Sequence, residues 1–228
     1  RDAVSDRWEA GLLRLVRQAE SGSDLQLAFI RGLSQAARHD EALALLAGLL
    51  EGSHTLDGLK VDTDLRWQLL HGLAREGRVD DDAIDHELDH DMTISGQEHA
   101  ASARAAMPTH EAKAHAWREA VENTEIANET MRSIALSFNQ PGQDAVLSDY
   151  LPKFLATADT IWEERGVYVA STILGYLYPT TIATQETLDT TDAWLTTTQA
   201  NPAARRLVSE GRDDVARALA AQAKDAQA

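Results

Sequence analysis

An all-α fold is what this sequence predicts, and three observations carry the expectation. Apolar residues recur at spacings of three and four from one end of the chain to the other. Alanine and leucine dominate, while aromatics make up only 5% and runs of Val, Ile and Tyr are rare. Glycine (13) and proline (5) are sparse for 228 residues.

Element by element, Trp8, Leu12, Leu15, Val16 and Ala19 form a first apolar stripe, stopped by Ser21-Gly22. Ser23 can cap the next helix, whose stripe is Leu27, Ile30 and Ala37, with Leu33-Ser34 between. A third runs from Asp40 through Leu43, Leu46 and Leu50 to Gly52. Residues 51–62 read as a loop. Thr63 or Asp64 then opens a helix through Trp67, Leu70 and Leu73, closed by Gly77. Residues 80–90 form a short acidic helix with Ile84 and Leu88 inward, and 95–107 an alanine-rich one ending before Pro108. Thr109 can cap 111–122. The rest are 128–138, 148–164, 166–178, 184–198 and 202–223, with Pro152 and Pro202 in first turns, where a missing N–H does no harm. The run 167–174 is the one place a strand could be read; with helices on both sides and no pairing partner, it is assigned as a buried helix. About a dozen short helices with short connections predict stacked antiparallel pairs, a HEAT-like α-α superhelix without a sheet. No repeat signature is visible, so the repetition is architectural.

Charge and composition narrow the function. The formal charge is −16, which repels phosphate backbones and anionic lipid, so neither nucleic acid nor membrane is an expected partner. There is no cysteine, hence no disulfide, thiolate site or cysteine nucleophile, in keeping with a cytoplasmic location. No apolar run reaches the roughly 18 residues of a membrane span. The chain opens on Arg1-Asp2-Ala3-Val4 without a leader. The expectation is one helical domain over 1–228, a C-terminal piece of a larger protein.

The sharpest local motif is His86-Glu87-Leu88-Asp89-His90, an H-E-x-x-H. On a helix, two histidines one turn apart can hold zinc while the glutamate polarises the bound water. That chemistry needs a third ligand. Where one layout of the motif places a glutamate stands Thr109; where another places a glycine and a histidine stand Thr93 and Gly96. Glu98 and Glu111 fit neither spacing, and Asp85, Asp89 and Asp91 surround the motif with charge. His86, Glu87 and His90 are therefore read as a coincidental match on a solvated acidic helix face, with no metal and no catalytic residue assigned.

Other constellations have plain readings. His99 and His110 join His86 and His90 within 25 positions, as a metal or pH-sensitive patch or, more simply, as polar-face histidines. Trp8, Trp67, Trp117, Trp162 and Trp194 each take an inward helical position and read as core. Asp80–Asp82 and Asp213-Asp214 look like first-turn charges that favour the helix dipole. Asn139-Gln140-Pro141-Gly142-Gln143 is a turn whose amides could also line a ligand groove. No phosphate loop, Ser/His/Asp pattern or nucleophile elbow is present.

Five runs, taken together, carry a family likeness. They are Val61–Trp67, His99–Pro108, Lys113–Trp117, Gln140–Gln143 and Arg205–Asp214. In order and spacing they resemble the C-terminal helical domain of bacterial zinc aminopeptidase N, of the actinobacterial type, itself similar to the endoplasmic-reticulum-aminopeptidase C-terminal domain. The likeness covers nearly the whole chain. It implies a bowl of helix pairs over a thermolysin-like catalytic domain, closing the peptide chamber and limiting access. It also implies that zinc and the exopeptidase motif belong to an upstream domain of the same polypeptide, which, with peptide substrates, is the expected partner. Gln140 and Gln143 are the candidates for the substrate-facing surface. The function so implied is a non-catalytic domain of an aminopeptidase. The alternatives are an independent helical scaffold for a protein partner, or a small zinc hydrolase built on His86, Glu87 and His90.

Overall fold

The computed structural model describes residues 2–226. Among these residues there are twelve α-helices, one π-helical turn and no strand. They gather into two compact units, Arg1–Pro108 and Thr109–Ala228.

The first unit holds α1 (Asp2–Gln18), α2 (Asp24–Ala36), α3 (Asp40–Glu51), α4 (Thr63–Arg75), α5 (Asp81–His90) and α6 (Ile94–Ala106). Their starts are chemically marked. Ser23, Asp62, Asp80 and Thr93 accept the N–H of Gln26, Leu65, Ala83 and Gly96, which would otherwise lack helical partners. α3 is capped from outside instead. Buried Glu9 on α1 accepts the N–H groups of Arg38 and His39 at 3.1 Å each. α4 ends in a Schellman turn, with Gly77 at φ 65°, Arg78 N–H on Leu73 O at 2.9 Å and Gly77 N–H on Ala74 O at 3.0 Å.

Sequence neighbours pack as pairs, α1 with α2, α3 with α4 and α5 with α6, and α4 also meets α2 and α6. Leu33, Leu46, Leu65 and Leu69 are fully buried at the centre of an aliphatic core. α4 comes so close to α2 that a Cβ on Gly72 would lie 2.4 Å from Ser34 O, which is backbone and cannot yield. Nearby, buried Arg75 donates to Ala37 O at 2.6 Å and to Gln35 O, satisfying carbonyls at the end of α2.

The second unit holds α7 (His110–Trp117), the π turn Arg118–Glu122, α8 (Asn128–Phe138), α9 (Asp144–Leu147), α10 (Tyr150–Tyr176), α11 (Gln185–Thr197) and α12 (Pro202–Asp225). Its core is aromatic. Phe138 meets Tyr150 edge-on at 4.9 Å, Trp117 lies 5.3 Å from Tyr150, and Phe154 meets Tyr178 at 5.4 Å. α10 packs on α8, α11 and α12.

Several expectations change here. Helix 111–122 ends in a π turn, closed by Asn123 N–H on Arg118 O at 2.9 Å. The Arg165 guanidinium holds that turn's Val121 and Asn123 carbonyls at 2.6 and 2.9 Å. The two helices expected at 148–164 and 166–178 are, by contrast, borne out: the continuous span Tyr150–Tyr176 is two helices meeting at a kink at Gly166, whose φ of 73° and ψ of 167° no helix contains. The 167–174 segment is helical but only half of it is buried; Val167 and Tyr168 are exposed. Asp213 and Asp214 sit in the middle of α12, not at its start, and Asp214 pairs with Arg217 three residues on. Of the tryptophans, Trp67 and Trp117 are core, Trp162 and Trp194 are half-buried, and Trp8 is 64% exposed.

Candidate functional site

The H-E-x-x-H segment lies on α5, and its glutamate does not face solvent. Glu87 shares the inward stripe of Ile84 and Leu88 and is buried. Both its oxygens are taken by Arg66 of α4, Nε to Oε1 at 2.7 Å and Nη2 to Oε2 at 2.6 Å. The third guanidinium arm reaches Leu50 O at 2.8 Å, so one arginine joins α3, α4 and α5. This fork is what raises the Arg66 pKa further above its ordinary value. The solvated acidic face expected of the motif is therefore corrected at Glu87, while His86 and His90 are exposed. The His90 Nδ1 lies 2.7 Å from His86 O, and the two rings meet edge-on at 4.6 Å.

The surrounding groups are spoken for as well. Asp91 accepts from Thr93 Oγ1 at 2.7 Å and from Trp67 Nε1 at 2.8 Å, and these bonds, Thr93's first, hold its carboxyl below the usual range. His99 stacks on Trp67 at 5.7 Å. Asp81 and Asp85 both bind Arg104 of α6. Thr93 caps α6, Gly96 lies in that helix's first turn, and Thr109 caps α7 through Ala112 N–H at 3.1 Å. Among the described residues no three His, Asp or Glu side chains converge on a point where an ion could sit. The geometry makes α5 a strut fastened to α4 and α6.

In the second unit the turn after α8 gathers its own polar groups. Gln140 donates to Ser137 O at 2.9 Å, so its amide finishes the helix end. Gln143 is buried, and its main-chain carbonyl accepts the N–H of Val146 and Leu147, starting α9. Asn139 donates to Tyr176 O and Tyr178 O, both at 2.9 Å, tying the turn to the end of α10. Beneath this turn lies a residue that sequence reasoning did not single out as a site. Lys113 of α7 is fully buried and donates from Nζ to Phe138 O at 2.7 Å, with the Phe138 ring centroid 5.4 Å away. Burial lowers its pKa to about 7. The signal was available: Lys113 shares a helical face with Ala116 and Trp117, both buried.

One surface of this unit is open. Between α8 and the second half of α10 runs a groove of ≈ 670 Å³ lined by Arg132, Val167, Tyr168, Ser171, Gly175 and Tyr176. Val167, Tyr168 and Tyr176 remain exposed. Tyr168 Oη donates to Glu129 at 2.9 Å, which fixes the ring on the rim.

Comparison with known proteins gives this arrangement its context. The family model described as ERAP1-like C-terminal domain matches residues 2–217. The chain belongs to this family. It is also 43% identical, over all 228 residues, to an aminopeptidase N of Streptomyces lividans. The match takes in the whole of this chain but 27% of that relative's length. The family likeness seen in the five sequence runs is thus shown, and the all-α fold agrees with it. No described helix is long and apolar enough to cross a membrane.

Proposed function

We propose that this chain is the non-catalytic C-terminal helical domain of an aminopeptidase N-type zinc peptidase, which caps the catalytic chamber and limits which peptides enter. The observation that carries the reading is the end-to-end match to about a quarter of an aminopeptidase N, in a chain whose H-E-x-x-H glutamate is bound by arginine. The catalytic zinc and its ligands belong to the upstream domain of the same cytoplasmic polypeptide. The helical units exclude folded or bulky substrates and restrict solvent exchange around the reaction. Within the second unit, the groove of Tyr168 and Tyr176 is a surface offered to peptide, beside the candidates Gln140 and Gln143.

The test compares the 228-residue chain with the longer polypeptide. The chain alone is expected to leave aminoacyl anilides intact and to bind no stoichiometric zinc. The longer polypeptide is expected to hydrolyse them. In that polypeptide, Tyr168→Ala with Tyr176→Ala raises KM for peptides of eight or more residues by roughly fivefold, about 1 kcal/mol of contact, and spares the anilide. Zinc held by the 228-residue chain and lost on His86→Ala would overturn the reading. So would equal effects on short and long substrates.

A further inference from the structure

Helix α1 carries apolar side chains on more of its circumference than the first unit covers. Leu12, Leu13 and Val16 are buried on the side that packs against α2. A Leu12 methyl stands 3.2 Å from where a Gly32 Cβ would lie, so the two helices are in close contact there. A second row, Val4, Trp8, Gly11 and Leu15, follows the i, i+4, i+7, i+11 spacing of one helical face. Val4 is 57% and Trp8 64% exposed, and nothing lies within 4 Å of where a Gly11 Cβ would stand. Together the two rows make an apolar arc about twice the ~100° that a helix covered on one side needs. Helices with so wide an arc are packed on two sides.

The other end of the sequence shows what a finished outer face looks like. α12 buries Ala204, Val208, Gly211 and Val215. Its remaining surface offers Arg205, Arg206, Glu210, Asp213, Asp214 and Arg217 and no exposed large apolar residue. Terminal elements of helical arrays carry such a polar outer face, and interior ones do not. By surface chemistry α12 presents a finished outer face and α1 does not. The length of the relative agrees, because nearly three quarters of that aminopeptidase lies outside the matched span.

We propose that the Val4–Trp8–Leu15 row is the seat of an amphipathic helix contributed by the same, longer polypeptide. The occupant lays aliphatic residues over Trp8, with a large side chain entering the gap above Gly11. Exposed Arg7 and Arg14 flank the row, so the occupant carries acidic residues along that edge. The proposal rests on the aminopeptidase reading, through which a longer polypeptide is expected.

Hydroxyl-radical oxidation of Trp8, read by peptide mass spectrometry, tests it in the 228-residue chain and in the polypeptide of the complete reading frame. Trp8 is expected to react freely in the short chain and roughly tenfold more slowly in the long one. Trp8→Glu is expected to lower the melting temperature of the long polypeptide and leave that of the short chain unchanged, with Trp8→Phe restoring the former. Equal oxidation in both forms would overturn the proposal, as would a reading frame with no further helix before α1. Protection that grows with concentration of the short chain would assign the row to a second copy and overturn it too. Hydrolysis of an aminoacyl anilide is read separately. An active long polypeptide with exposed Trp8 refutes only the seat, and an inactive one with protected Trp8 refutes only the aminopeptidase reading.

Discussion

The two units are built from the same helices by different means. In the first, Ser, Asp and Thr caps mark where helices start, and aliphatic residues at regular spacing fill the core. In the second, aromatic rings fill the core, a lysine is buried in it, and the helical ladder is broken twice, at Arg118–Glu122 and at Gly166. The first unit shows local and tertiary preferences in agreement. The second shows tertiary contacts overriding local ones, with Arg165 stabilising carbonyls that the π turn leaves over.

The strongest way to break this comparison is to empty each core in turn. Leu33→Ala and Phe154→Ala each remove a fully buried side chain, one per unit. Each is expected to cost about 3–5 kcal/mol, read from urea unfolding. Hydrogen exchange then locates the damage. Leu33→Ala is expected to loosen α2–α4 and Phe154→Ala to loosen α8, α10 and α12. If either variant loosens both units alike, the two are one cooperative body and the contrast is only compositional.

Lys113 sharpens the comparison through pH. Its pKa is about 7 in the folded chain, against an ordinary value of 10.5. Between those values the unfolded chain holds the proton and the native one sheds it, so this group makes stability rise with pH. The full penalty is present below pH 7, and none remains above 10.5. Relative to Lys113→Met, the wild type is therefore expected to gain on the order of 4 kcal/mol from pH 6.5 to 10.5. Urea midpoints of both proteins across that range measure it. A constant gap would mean that the ammonium is not desolvated and that the second unit is no more strained than the first.

These differences decide what could be read from sequence. Caps such as Ser23 and Thr109 announce themselves because they act on residues three positions away. The aliphatic stripes of α2 to α4 were legible for the same local reason. Glu87 was misjudged because its partner Arg66 is 21 positions off, and a charged residue on a short acidic helix gives no local sign of burial. Trp8 was placed inward because hydrophobicity does not say which of two faces is covered. The π turn depends on Arg165, a contact of 44 residues' separation that no periodicity encodes. Gln140 and Gln143 read as turn residues, and the Gln140 amide and the main-chain carbonyl of Gln143 do bond within the turn.

The Arg66–Glu87 fork offers a smaller test within the first unit. Glu87→Gln keeps the shape but removes the charge that binds both guanidinium arms. The expected loss is about 2 kcal/mol, moderated because Arg66 is one-third exposed. His86→Ala and His90→Ala, both at exposed positions, should stay within about 0.5 kcal/mol. A stability order reversed between glutamate and histidines would return α5 to the candidates for a metal centre, since only ligation would make exposed imidazoles matter more than a buried carboxylate.

The smallest expected effect lies at the cap of α3. Glu9 receives the His39 ring nitrogen at 2.9 Å, and this hydrogen bond, with the charge of Glu9, raises the histidine pKa above 6.5. A base whose folded pKa is raised stabilises the fold below its unfolded pKa, and that contribution fades as pH climbs through the folded value. His39→Gln should thus match the wild type above neutral pH and fall slightly behind it near pH 5. The two backbone N–H bonds to Glu9 do not titrate with the ring, so they persist throughout. If His39→Gln were destabilised equally at both pH values, the ring would be acting by packing alone, and the cap of α3 would owe nothing to its charge.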